Sequence, residues 1–198
     1  GSCLFGNEDD LFATSAFLNS KTVSTMLDVL CPTLDFNMVG IKRIPFRKIP
    51  ELTELGSEAY SISKNDWDQF EISYDFDGCP LVKESENSNV VSVCLQALSV
   101  RRVDLTNKLR DIEEKINIIV AQSFGDSNSD CTVDVKDVSL ISNKFFNSPK
   151  KTADIFERGE IILSFLSYTI GFVLGRFSLE KHKFSADEDG IIPLTDQE

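Results

Sequence analysis

Histidine is nearly absent from this chain, and so are the short motifs that most enzymes carry. His182 is the single histidine in 198 residues, and it stands between lysines. A triad or dyad built on a buried imidazole therefore has no candidate. No G-x-x-x-x-G-K-[ST] and no G-x-G-x-x-G occurs, so no phosphate-binding cradle is encoded. The five cysteines, Cys3, Cys31, Cys79, Cys94 and Cys131, form no C-x-x-C pair. An odd count at irregular spacing excludes a zinc ribbon or a disulfide framework and predicts buried free thiols in a reducing cytosol. No signal-peptide pattern opens the chain. The longest uncharged run, Ile161 to Gly175, makes about 22 Å of helix, too short for a hydrocarbon core of about 30 Å. It is closed by Glu160 and Arg176, and it reads as a buried helix with no membrane partner. A cytoplasmic location is expected.

Acid exceeds base. The formal net charge is -12, so the chain as a whole repels a phosphate backbone and is not a free-standing basic nucleic-acid binder. Hydrophobic residues make up 41% and phenylalanine numbers 15, which is enough to build a core and excludes a disordered reading.

The apolar pattern predicts a mainly α fold. It comprises a helical domain with a long antiparallel helix pair, plus a small α+β N-terminal segment. Glu8-Asp9-Asp10 suits a helix N-terminus, and an apolar stripe from Leu11 to Leu30 runs on until Pro32. Thr33 to Ile41 alternates and reads as extended. Pro45 and Pro50 make the following stretch a turn or an edge. A helix is expected over Glu51–Ile62, followed by the aromatics Trp67, Phe70, Tyr74 and Phe76 and a turn at Gly78. Ser92–Phe124 reads as a long helix. Leu98, Leu105, Ile112 and Ile119 form a heptad seam filled by Leu109 and Ile116, interrupted by Arg102, and Gly125 is its C-cap. Val135–Phe146 reads as a strand or a short helix. Thr152–Phe177 is the second long helix, and Gly171-x-x-x-Gly175 is a packing feature of it. The tail beyond Lys183 is acidic. The boundary falls near residue 50: residues 1–50 form a strand-helix-strand segment, and residues 51–198 a helical spacer or scaffold with the acidic tail.

Three clusters are candidates for chemistry. Asp104, Glu113 and Lys115 have the residue types of a nuclease set, but they lie on one predicted helix and read as its solvated face. Asp126, Asn128, Asp130, Thr132, Asp134 and Asp137 match an EF-hand spacing. However, Cys131 stands where the turn needs glycine and Asp137 where a bidentate glutamate is normal, so no metal site is assigned. Lys42, Arg43, Arg47 and Lys48 fall close together without an acid between them, and they are the candidate DNA-binding residues. No catalytic residue is assigned.

Phe17-Leu18-Asn19-Ser20-Lys21 and Cys31-Pro32-Thr33-Leu34-Asp35-Phe36-Asn37-Met38-Val39-Gly40-Ile41-Lys42-Arg43-Ile44-Pro45 resemble the segment that follows the catalytic domain in BREX phage-exclusion adenine methyltransferases of the PglX type. Ile62 to Phe76, Leu166 to Leu179 and Asp187 to Leu194 resemble later stretches of the same family in the same order. The resemblance implies a parent enzyme that transfers a methyl group from S-adenosylmethionine to adenine N6 of DNA. Residues 1–50 would then be the end of its methyltransferase or target-recognition region. The family's Asn-Pro-Pro-Tyr motif does not occur here. The fragment is therefore expected to be inactive alone and to hold no cofactor itself, positioning DNA or scaffolding the enzyme. The rival reading is a helical interaction module that docks other defence-system proteins.

Overall fold

The computed structural model describes residues 3–31, 38–85, 88, 90–145 and 153–177. Among these the secondary structure is helical: α1 Glu8–Leu18, α2 Lys21–Leu30, α3 Met38–Ile41, α4 Glu51–Trp67, α5 Pro80–Glu84, α6 Val91–Ser123 and α7 Ala153–Val173, with a 3-10 turn at Val135–Asp137. The mainly α reading holds. No β-strand is present among the described residues, and Met38–Ile41, expected to be extended, is a helical turn closed by the Lys42 amide on the Met38 carbonyl. A short alternating run takes up a strand only where a neighbour offers a ladder, and the described residues include no strand to pair with Met38–Ile41. Pro32 to Asn37, His182 and the acidic tail lie outside the described residues.

The chain packs as two compact units. Unit 1 combines Gly1–Ser63 with Asn107–Val138, and unit 2 combines Lys64–Thr106 with Ser139–Glu198. Helices α4 and α6 each contribute to both.

In unit 1 the stripe read as one helix is two. Asn7 caps α1 by accepting the Asp10 amide. The chain then breaks at Ser20, whose backbone is extended and whose hydroxyl oxygen caps α2 by accepting from the Val23 amide. The Ser20 hydroxyl also donates to the Phe17 carbonyl at 2.7 Å, so a fully buried serine is satisfied in both directions. Phe17, Val23 and Leu52 are sealed in this core, together with Leu109, Ile112, Ile116 and Val120 from the second part of α6. Helix α4 crosses α1 at Gly56, where a Cβ would lie 2.3 Å from the Phe12 carbonyl oxygen. Only glycine allows that approach.

In unit 2 the first part of α6 supplies Cys94 and Leu98 to one cluster with Ile161 and Tyr168 of α7 and with Phe76, Cys79, Leu81 and Phe177. The seam along α6 is therefore shared between the two units. Tyr168 stacks on Phe177 at 4.9 Å, and Phe76 packs on both rings. Gly125 and Gly175, both at positive φ, end α6 and α7 with paired backward hydrogen bonds. Gly171 makes room for the chain's own return, since a Cβ there would meet the Phe177 ring at 2.6 Å. No helix among the described residues is long and apolar enough to cross a membrane.

All five cysteines are free. Cys31, Cys79 and Cys94 are buried as expected, and burial pushes the Cys79 thiol above its usual value and keeps it protonated. Cys3 is exposed and Cys131 half-buried, against expectation: Cys3 lies in the segment before α1 and Cys131 in the acidic loop after α6.

Candidate nucleic-acid interface

The basic segment leaves α3 through a tight turn, in which the Arg43 and Ile44 amides bond to Gly40 and Ile41. It then runs without regular structure until Ile49 and Pro50 start α4. Ile44 is buried and Ile49 half-buried, and these two apolar residues pin the segment to unit 1. Lys42, Arg43, Arg47 and Lys48 are all exposed. Two of the four are held in place. The Arg47 guanidinium lies over the Phe124 ring at 5.0 Å, and Phe17 packs against both Phe124 and Phe46. Lys48 pairs with Asp10 at 2.7 Å. The hydrogen bond to Lys48 holds the Asp10 carboxyl below its usual range, and the same bond raises Lys48. Both groups are exposed, so the pair is screened by solvent and exchangeable. Two of the four cations, Arg47 and Lys48, are thus held along one short exposed segment. A run of exposed cations on a short segment has the charge and reach to meet a polyanion.

The other clusters do not assemble. Asp104 and Glu113 are nine positions apart on α6, which places them about half a turn apart around the helix, so they do not converge with Lys115 on one site. Burial pushes the Glu113 carboxyl up to about 7. In the acidic loop three of the four aspartates turn to their own local backbone. Asp126 accepts from the Asn128 amide, Asp130 from the Thr132 amide at 3.0 Å, and Asp134 from the Lys136 amide. The Ser129 hydroxyl and then the Asn128 amide hold Asp126 below the usual carboxylate range, and the Thr132 hydroxyl and then its amide do the same for Asp130. Among the described residues no group of three or more metal-ligating side chains converges.

No family model matches the chain. Two curated proteins do. The adenine-specific methyltransferase BrxX of Escherichia coli O9:H4 (strain HS) is 29% identical over 227 aligned residues, covering 100% of this chain and 18% of that protein. The adenine-specific methyltransferase PglX of Lacticaseibacillus casei (strain Zhang) is 31% identical over 205 residues, covering 92% of this chain and 16% of that protein. The chain belongs to the BrxX–PglX family, as a relative of one segment of it. It spans less than a fifth of the length of these relatives. The resemblance read from the scattered motifs therefore extends over nearly the whole chain.

Sequence reasoning found the four cations of this BrxX–PglX segment but not what holds them. Phe124 was read only as the end of a helix, and Asp10 only as a favourable charge at a helix N-terminus. Neither pairing has a local signature, because both partners lie far from the basic run in the chain.

Proposed function

We propose that this chain is a non-catalytic helical segment of an S-adenosylmethionine-dependent adenine-N6 DNA methyltransferase of a BREX phage-defence system, and that Lys42, Arg43, Arg47 and Lys48 help position the DNA backbone in that enzyme. The observation that carries the reading is the basic segment itself: four exposed cations, two of them fixed by Phe124 and Asp10, on a chain of formal net charge -12. The relation to adenine-specific methyltransferases supports DNA as the polyanion. The acidic remainder keeps the segment's own affinity low, so the contact matters within the parent enzyme, in the cytoplasm. Phosphate contacts set register and affinity more than site choice.

The test is DNA binding by the complete enzyme over a salt series. Replacing Lys42, Arg43, Arg47 and Lys48 with serine should reduce the slope of log affinity against log salt by up to about 3–4. An unchanged slope with intact folding removes the segment from the interface. A companion assay incubates the isolated chain with labelled S-adenosylmethionine and mixed DNA. Label on adenine above a no-protein blank would refute the non-catalytic assignment.

A further inference from the structure

Unit 1 holds an open groove of about 680 Å³ lined by Leu4, Leu11, Phe12, Leu18, Leu27 and Tyr60, with Glu8 at its edge. Its walls are apolar and wet: Leu4 is 51% exposed, Leu11 36% and Tyr60 53%. Contiguous apolar surface of this kind marks a contact site rather than ordinary surface. The rim is acidic. A second hollow of about 550 Å³ shares Glu8 and Phe12 with the groove and adds Asp9, Glu54 and Glu58, of which Glu58 is paired with Lys108 at 2.7 Å. Close packing of α1 on α4 at Gly56 brings these acids and the apolar floor together, and the Phe12 and Tyr60 rings meet at a tilt, 5.4 Å apart, across the crossing.

An apolar floor with an acidic rim discriminates among occupants. DNA and anionic lipid headgroups are repelled by Glu8, Asp9 and Glu54. A helix with leucine-like residues on one face and lysine or arginine beside them matches both features, since apolar anchors fill such a groove and complementary charge fixes orientation and speeds encounter. We propose that this groove docks a basic amphipathic helix of a partner protein. The inference is independent of the DNA reading, because it uses none of the four cations.

The test uses the whole 198-residue chain and a fluorescent amphipathic helical peptide with leucine on one face and lysine on the other, followed by anisotropy. The same peptide with glutamate in place of lysine, and a labelled DNA duplex, serve as rival probes. The Leu/Lys peptide should bind at least about tenfold more tightly than either rival, a difference of about 1.4 kcal/mol. Leu11→Ser with Tyr60→Ala leaves the charge unchanged and should weaken binding at least about tenfold. Glu8→Gln with Glu54→Gln should weaken it severalfold, whereas Asp111→Asn with Asp137→Asn, the same charge change elsewhere, should not. If the apolar double variant does not fold, amide exchange of the unmodified chain decides: the peptide should protect α1 and α4. Binding that survives the groove variants, tracks net charge alone, or protects neither helix overturns the proposal.

Discussion

Unit 1 and unit 2 bury different chemistry. The fully packed polar side chains of unit 1 are neutral: Ser20 bonds to the Phe17 carbonyl, and Asn117 accepts the Lys21 amide at 2.9 Å and donates to the Cys131 carbonyl. Every buried charged residue among the described residues lies in unit 2: Asp66, Glu84, Arg102 and Glu157. There, Asp66 accepts the Ile141 and Ser142 amides and so pins the approach to α7. Glu84 pairs with Arg101, and Glu157 accepts the Ser99 hydroxyl at 2.8 Å. Burial pulls the Arg102 guanidinium below its usual value, and the nearby charges of Glu157, Asp66 and Glu160 oppose that pull. A neutral core depends on fit, so its weak points are steric. A core with internal charges depends on partners, because an ion left unmatched inside costs more than the pair ever contributed.

The largest break in this contrast should come from Arg102. Arg102→Leu keeps volume in the core but leaves Glu157 with Lys144 at 3.8 Å and Asp66 with two backbone amides, without the central cation, and it should destabilise unit 2 by about 3 kcal/mol. Urea unfolding measures the loss, and amide exchange should locate it among residues 64–106. Adding Glu157→Leu should return part of the loss, since replacing both ions by apolar groups is far milder than removing one. A loss under about 1 kcal/mol would mean that these charges are solvated and that the two cores do not differ in kind.

The matching lesion in unit 1 is Gly56→Ala. Helix propensity alone favours alanine by about 1 kcal/mol, yet the new Cβ would sit 2.3 Å from the Phe12 carbonyl oxygen. Backbone does not yield as a side chain does, so a net cost of about 1–3 kcal/mol is expected. A more stable Gly56→Ala protein would show that α1 slides freely over α4.

Glu113 sharpens the comparison, because it is a half-buried carboxyl in the neutral unit. Desolvation raises it from 4.5 to about 7. The folded state therefore binds more protons than the unfolded state between these values, and stability falls as pH rises through that window. Glu113→Gln should remove this fall, raising the melting temperature at pH 8 and leaving it nearly unchanged at pH 4. Asp10, Asp68, Asp126 and Asp130 are held low instead, and they contribute the opposite trend, lost as pH drops through the acid range. A melting profile without any Glu113-dependent slope would place that side chain in water.

Much of this fold is legible in the sequence where periodicity is long. Helices α4, α6 and α7 fall close to where the apolar spacing puts them, and Gly125 caps α6 as its position suggests. What is not legible depends on distant partners. Nothing near Ser20 says that the helix must break there. The break is stabilised by the Phe17 carbonyl within the turn and by Asn117 far along the chain. Arg102 looks like a flaw in a hydrophobic seam, yet it is the counter-ion of acids on other elements. The candidate site divides the same way. Four cations in a run can be counted from sequence, but the groove on α1 and α4 appears only once Gly56 brings the two helices together.

The smallest expected effect on stability is the most useful for the basic segment. Asp10→Asn removes the carboxylate that holds Lys48, in a pair exposed on both sides. Its charge is screened and its loss opens no cavity, so the melting temperature should not change measurably in ordinary salt. DNA affinity responds differently. The variant frees Lys48 and deletes a negative charge beside it, so weak non-specific binding to a duplex should strengthen and its salt dependence should steepen by up to about one unit. Combining Asp10→Asn with Lys48→Ser should cancel the steepening, which separates release of that lysine from the general gain in charge. If Asp10→Asn instead lowers the melting point and leaves the salt slope alone, the ion pair is a structural clasp between the segment and α1. The four cations would then be an ordered edge of unit 1 rather than a surface kept ready for phosphate.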